Sequence, residues 1–452
     1  MKKLFKNISF LATFDEKNNE FQDAYILVED NIIKKIGKGK PKNIVADEVI
    51  DCKDYLILPG FVNTHHHLYQ SLFRNVKGVQ SAKLFDWLVF LYEKWKYLDY
   101  GASYISSIIA NYEMILSGVT TTTDMLYLYP YGKNEVFDAE IEGAKRVGIR
   151  FHPTRGSMSL SKKDGGLPPD SVVQSEEEII KESIRVIEKY HDASKYSMLR
   201  IALAPCSPFS VTPELMKETV KLAEKYDVLI HTHVAETLDE EKFCLEKFGY
   251  RPIDYMESLG WLNPRAWFAH LVWLNDKDIE KLENNDVGMA HCPASNMRLG
   301  SGIAPVYKMK DKNIRIGIAV DGSASNDTNN MLQEIRLSML LQRVKYGADA
   351  LTPREALYMA TVGGSRVLRM NDYIGSIEEG KAADFIGFNL NRLEFAGGLS
   401  DPVAAILLCD AKHVDLSVIN GVLKVRNGQI LDEELPEFIK KHNLVSKKLL
   451  SI

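Results

Sequence analysis

Cysteine is scarce: Cys52, Cys206, Cys244, Cys292 and Cys409 are odd in number, far apart and without a C-x-x-C spacing. That argues against a disulfide framework or a thiolate zinc site and fits a reducing cytoplasm. Long apolar runs are missing too, and no stretch is long or apolar enough to span a bilayer. The basic start, MKKLFKNISFLATFDEK, has only a short apolar run broken by Lys6 and Asn7, with no small-residue cleavage site after it, so it reads as a strand rather than a secretion signal. An excess of charge of one sign is also absent: 56 Lys and Arg against 61 Asp and Glu leave a formal net charge of −5. The basic residues are spread along the chain, so neither nucleic acid nor a membrane surface is an expected partner. Internal repeats, low-complexity tracts and disordered linkers are missing as well.

What is present is a chain of 452 residues, too long for one small core, for which a large domain with a smaller one beside it is the natural expectation. Residues 1–57 alternate short apolar runs with Gly, Asn and Asp turns, the texture of half a small β-sandwich. From Pro59 the texture changes to buried strands separated by amphipathic helices. Strand-like runs fall near 58–63, 118–124, 149–153, 199–205, 228–233, 266–270, 287–291 and 314–321, and helical stripes at Tyr104–Leu116 and Glu176–Tyr190 lie between them. Eight such units predict an α/β protein with a TIM-like (β/α)8 barrel over residues 58–371, whose functional side chains gather where strands end. A doubly wound sheet would instead scatter those ends along a crevice. After a helical part, Pro353–Arg369, residues 372–452 return to strand-and-turn texture and read as the other half of the sandwich. The long polar loop 156–174 follows a barrel strand and is a candidate lid.

The chemistry concentrates on histidine. In PGFVNTHHHLYQSLF, His65 and His67 are one residue apart at the end of a strand, so both imidazoles share one side of the pleat while His66 faces the other. A lone buried histidine is usually a satisfied core residue, but an H-x-H at a strand end with more histidines downstream is a chelating pair. IHTHVAET follows, with His233 three residues before Glu236: the imidazole can bind a metal while the carboxylate swings over a bound water. His231 lies one layer deeper and reads as barrel packing or support. Glu236 has a bland reading, a favourable charge at a helix start, against which stands its fixed offset from His233. Asp321 closes the apolar strand GIAVD, where burial alone is costly and a cation with imidazoles opposite removes the cost. His270 in FAHLVWL is either a further ligand or a donor to the attacking water, and spacing leaves both open.

PGFVNTHHHL, HTHVAET, AHLVWL, AHCPASNMRLGSG, VDGSASND and EEGKAADFI, in that order, resemble the amidohydrolase superfamily along essentially the whole chain, in particular its aminohydrolase branch. The resemblance implies one Zn²⁺ or Fe²⁺ bound by His65, His67, His233 and Asp321, with Glu236 as proton shuttle and His270 hydrogen-bonded to the nucleophilic water or the substrate. No lysine stands on the fourth strand, LRIALAPC, to be carboxylated into a metal bridge, so a single ion is implied. Within the branch, HLYQSLFR and TRGSMSLSKKDGGLPPDS look most like the group containing 8-oxoguanine deaminase and hydroxyatrazine-type aminohydrolases. The implied activity is hydrolytic deamination of an amino-substituted heterocycle, a purine such as 8-oxoguanine first. A triazine, guanine, S-adenosylhomocysteine or methylthioadenosine stands as alternative. A non-catalytic scaffold of this fold would have lost the ligands that this chain keeps. In the implied reaction Asp321 and His270 orient the water, and Glu236 takes its proton, protonates a ring nitrogen and then serves the departing ammonia. The partner is a small heterocycle, and homo-oligomers are usual for such barrels, although no surface stripe marks one here. Recognition is expected from Gln70, Arg155 and His291, each with a plain alternative: a helix cap, a loop ion pair and support of the metal shell.

Overall fold

A computed structural model describes every residue from Met1 to Ile452. Eight strands run parallel, paired in chain order: β1 (Phe61–Asn63), β2 (Val119–Leu126), β3 (Arg150–Ser157), β4 (Ala202–Pro205), β5 (Ile230–Val234), β6 (Ala266–His270), β7 (Gly288–His291) and β8 (Arg315–Ile318). All eight expected runs supply one strand each. Every residue in them is buried, because helices cover the outside and side chains fill the inside, which is why they read as continuous apolar or β-branched runs instead of alternating ones. The ring is drawn shut where the Thr64 N–H donates to the Ile318 carbonyl at 3.2 Å and the Asp321 N–H to the His65 carbonyl at 3.1 Å.

The crossovers include helices α1 (Leu84–Trp95), α2 (Tyr100–Leu116), α3 (Glu135–Val147), α4 (Glu176–Tyr190), α5 (Pro213–Tyr226) and α6 (Leu238–Phe248). Their starts are written locally: Asp99, Ser175, Thr212 and Thr237 each accept a hydrogen bond from a backbone N–H of the first turn. The stretch from Pro353 is one helical run interrupted by a π-turn at Met359–Gly363. Glycine is required there, because a Cβ on Gly363 would sit 2.3 Å from the Ile316 carbonyl oxygen and one on Gly364 2.7 Å from that of Val62. The run can lie directly against β8 and β1 only without those side chains.

The two chain ends share a separate nine-stranded mixed sheet. Tyr55–Pro59 from the first end pairs antiparallel with Phe385–Asn389 from the second, so the two expected halves of the small sandwich are joined in one hydrogen-bonded sheet. It has its own core of Phe5, Ile8, Ile26, Val28, Phe385 and Val418. A buried ion pair, Arg150 Nε to Asp384 Oδ2 at 2.9 Å, ties the start of β3 to this sheet. The chain closes with a 17-residue helix, Leu435–Ser451, that leaves the sheet and packs on α2 and on the turn Leu68–Phe73. No helix is long and apolar enough to cross a membrane, and all five cysteines are free.

Candidate active site

β1 stops at Asn63, whose side chain locks the rim: Nδ2 donates to Thr122 Oγ1 at 2.9 Å and Oδ1 accepts from the Val320 N–H at 3.0 Å. The next residues carry His65 and His67 inward and His66 away, towards Asn329 Oδ1 at 2.8 Å. Hydrogen bonds then set each tautomer. His67 Nδ1–H donates to the Met125 carbonyl at 2.8 Å and His233 Nδ1–H to that of Cys206 at 2.6 Å. His231 Nδ1–H donates to the Trp267 carbonyl at 2.8 Å, leaving its Nε2 to accept from His65 Nδ1–H at 2.7 Å. His65, His67 and His233 therefore all turn an Nε2 lone pair to one point.

Those lone pairs have nothing to receive them. His67 Nε2 and His233 Nε2 face each other at 3.2 Å, His65 Nε2 has no hydrogen-bond partner, and Asp321 Oδ1 is 3.3 Å from His65 Nε2 and 3.4 Å from His67 Nε2. Acceptors cannot satisfy one another, and a cation satisfies all of them at once. Burial, followed by the neighbouring charges, holds the His65 and His233 imidazoles well below their ordinary range, so they are neutral. Asp321 is also held well below its ordinary range: burial pushes it up, but the imidazoles of His65, His270 and His67 around it outweigh that and keep it an anion. Three neutral imidazoles and one carboxylate are a donor set that fits zinc. Cys292 also borders this point, yet burial and the Asp321 charge push its thiol well up, so it stays protonated.

Beside the cluster stand Glu236 and His270. His270 Nδ1–H donates to Asn296 Oδ1 at 2.9 Å, and its Nε2 lies 3.6 Å from Glu236 Oε2. Burial pulls His270 down, but the carboxylates of Glu236 and Asp321 more than offset it and its pKa is raised. Burial raises Glu236, whose Oε1 also accepts from Ser301 Oγ–H at 3.4 Å. Backbone strain collects at these strand ends, with φ of 56° at Ala235, 75° at His270 and 60° at Asp321. What holds the Ala235–Glu236 turn is Glu240 in the first turn of α6, whose two oxygens accept the Ala235 and Glu236 N–H groups at 2.8 Å. Sequence reasoning passed over Glu240. Its signal was the spacing Thr237-x-x-Glu240 at the start of α6, a cap followed by a buried acid.

The cluster opens into a cavity of about 40 Å³ bounded by Gln70, Leu84, Trp87, Leu88, Phe209 and Leu299 along with the groups above. Gln70 is brought to it, with Oε1 accepting the Ala324 N–H at 3.3 Å. Arg155 is not. It is buried beneath the rim with its guanidinium 3.8 Å over the Tyr129 ring, and its donors are taken by the Gly156 carbonyl, Gln174 Oε1 and Asn134 Oδ1. His291 closes β7 without bordering the cavity; burial pushes it down to about 3, and neither ring nitrogen has a partner. The 156–174 loop contributes no residue to the cavity wall and is pinned aside, Leu160 N–H donating to the Ser210 carbonyl at 3.0 Å. α1 contributes to the wall instead through Leu84, Trp87, Leu88 and Tyr92, with Trp87 Nε1–H bonded to the Ala324 carbonyl at 3.1 Å.

Comparison with known proteins adds to this geometry. Residues 56–426 match the Amidohydrolase family. The chain is 42% identical over 441 residues to 8-oxoguanine deaminase of Pseudomonas aeruginosa, covering 98% of both chains. It is 32% identical over 447 residues to hydroxydechloroatrazine ethylaminohydrolase of Pseudomonas sp. strain ADP, covering 95% of this chain and 92% of that one. Among solved structures, the zinc complex of an atrazine chlorohydrolase from Arthrobacter aurescens TC1 superposes with a TM-score of 0.92 at 30% identity, covering 99% of this chain and 100% of the other.

Proposed function

The chain belongs to the amidohydrolase family, and from that premise we propose that it is a metal-dependent hydrolytic deaminase that replaces the amino group of a small heterocycle, a purine such as 8-oxoguanine first, with a carbonyl and releases ammonia. The observation that carries the reading is the meeting of the His65, His67 and His233 lone pairs within 4.8 Å of one another, with the Asp321 carboxylate 3.3 Å from His65 and 3.4 Å from His67, beside the Glu236 and His270 pair. His65, His67, His233 and Asp321 would hold one divalent ion, Zn²⁺ before Fe²⁺. When bound, the ion supplies Lewis acidity, lowering the pKa of a water towards about 7.

The remaining work falls to side chains. Glu236, raised by burial, accepts the proton of the attacking water, passes it to a ring nitrogen and then serves the departing amine; a carboxyl with an elevated pKa suits both directions of transfer. His270, its Nδ1 anchored on Asn296, keeps Nε2 towards the reacting oxygen, and Asp321 is held in register by the Gly322 N–H at 2.6 Å. Gln70 offers its amide to the ring edge. Leu84, Trp87, Leu88, Phe209 and Leu299 give the cavity an apolar surface that suits the faces of a flat ring.

A triazine ring is the second reading, favoured by the likeness to the atrazine chlorohydrolase structure. Zinc-loaded protein supplied with 8-oxoguanine, guanine, hydroxyatrazine and adenosine derivatives separates the two. Ammonia from the purine bases is the expected result, turnover of the triazine alone, with release of its alkylamine, would favour the second reading, and turnover of none of them would remove both.

A further inference from the structure

The barrel has one seam. Strand pairing runs in chain order from β1 to β8, and between β8 and β1 there is no ladder; the edges meet through the Thr64 N–H to the Ile318 carbonyl and the Asp321 N–H to the His65 carbonyl. His65 and His67 stand on one side of this seam and Asp321 on the other. The separation of imidazoles and carboxylate, 3.3 Å and 3.4 Å, therefore depends on how firmly the two edges are held. We propose, resting on the metal-dependent reading above, that His66 and Asn329 form a positioning clasp across the seam, which sets the affinity and geometry of the metal centre without touching the ion.

His66 is the residue between the two ligands, and its ring faces away from them. Its Nε2–H donates to Asn329 Oδ1 at 2.8 Å. The same oxygen accepts from the hydroxyl of Ser323, two residues beyond Asp321, so one amide oxygen takes a donor from each edge. Glu113 on α2 decides which way that amide faces. Paired with Arg74, it offers acceptors only, and it takes both the Asn329 backbone N–H and Nδ2–H at 3.0 Å, which turns Oδ1 towards the seam. Asn329 is fully buried, and its carbonyl accepts from Ser117 Oγ–H at 3.3 Å, so each of its polar atoms is bonded.

His66 has one anchor by contrast. Its ring is buried and its Nδ1 has no partner, so the bond to Asn329 is the ring's single hydrogen bond. Water cannot replace such a bond once it is removed. A residue that served only to fold the loop after β8 would be satisfied within that loop, as Asn329 is through Ser323; the reach to His66 joins that loop to the turn that carries the imidazoles. Zn²⁺ asks for donors at fixed distances, so slack between the two edges falls on metal binding.

The test compares full-length wild type with His66→Phe, which keeps a ring without the donor, His66→Gln, whose amide N–H can reach Asn329 in its place, and Ser323→Ala, which opens the other arm. Zn²⁺ affinity is measured by chelator competition, the Tm of the metal-free proteins by calorimetry, and coordination geometry by the visible absorption of the Co²⁺-loaded proteins. Zn²⁺ affinity lower by about 10–100-fold and an altered Co²⁺ spectrum are expected in His66→Phe, with recovery of both in His66→Gln. Wild-type affinity and spectrum in His66→Phe, with only the metal-free Tm lowered, would show a packing role and overturn the proposal. Should His66→Phe fail to fold, Ser323→Ala decides: Zn²⁺ affinity lower by about 10-fold supports the clasp, and unchanged affinity overturns it. A wild type that retains no divalent ion would remove the metal-dependent reading and the clasp together, whereas a Zn²⁺-binding wild type with variants of equal affinity removes the clasp alone.

Discussion

The proposed reaction gathers its proton chemistry into Glu236, and substitution there separates chemistry from metal binding. Glu236→Gln keeps the shape, so zinc content should stay unchanged while kcat for ammonia release falls by about 10²–10⁴. Metal analysis alongside steady-state kinetics checks both halves. His231 acts one layer further back, because its Nε2 takes the His65 Nδ1 proton at 2.7 Å and so leaves His65 Nε2 free for a metal. His231→Phe removes that acceptor and should weaken zinc binding by about 10–100-fold in a chelator competition, whereas unchanged affinity would show that packing alone fixes His65. The H-x-H pair was legible in the sequence because a period of two on a strand dictates which imidazoles share a face. His231 was harder, since packing and support look alike until its hydrogen-bond partners are known. Arg155 shows the limit: its place at a strand end was readable, but the side chain turns to Gln174 and Asn134, contacts set by the path of a loop that no local pattern specifies.

Among elements, α1 stands out. The cavity it lines, about 40 Å³, has room for a few waters and less than a bicyclic ring needs, and α1 supplies four of the side chains around it, Leu84, Trp87, Leu88 and Tyr92, so α1 is the element expected to give way to a substrate. Amides of Leu84–Trp95 should therefore exchange with solvent faster than those of β5, and a slowly hydrolysed ring analogue should slow them; protection equal to that of β5 in the free protein would contradict a lid. β2 and α3 carry a second testable feature, the buried carboxyl pair Asp124 and Glu140. Burial pushes Asp124 up to about 7, and burial together with the Asp124 charge holds Glu140 well above its usual range. The sign follows from proton counting. Below the ordinary carboxyl range near 4, folded and unfolded chains are both protonated and the pair's contribution is intact. As pH rises the unfolded chain loses its protons first, so the folded form binds more of them and stability falls up to and through about 7. The drop in Tm between pH 5 and pH 8 should be smaller in Glu140→Gln than in wild type, as calorimetry would show. The strands and α4 were readable because burial on both faces leaves apolar runs and because Ser175 caps the helix locally. The helix Leu435–Ser451 was not, because it follows strand-like text without a break and owes its place to packing on α2.

For the molecule as a whole, three of the four proposed metal ligands come from the two ends of the strand order, His65 and His67 after β1 and Asp321 after β8, while His233 stands on β5. An ion there would reinforce the seam at which the ring closes, so chelation should abolish turnover and lower stability, seen as a fall in Tm, by about 4 kcal/mol where free zinc had stood at a thousand times its dissociation constant. That link between closure and chemistry explains why so much of the site could be read from the chain: a parallel barrel delivers every strand end to one rim, and the order of the motifs then fixes which residues meet. The wall of the cavity was less legible, since α1 reaches it from a crossover and not from a strand end. The most direct measurement is ammonia release from 8-oxoguanine by zinc-loaded wild type and Glu236→Gln side by side. The account predicts sustained release by the wild type, lost on chelation and reduced by about 10² or more in the variant. Equal rates in the two proteins, or full activity in protein stripped of metal, would contradict it.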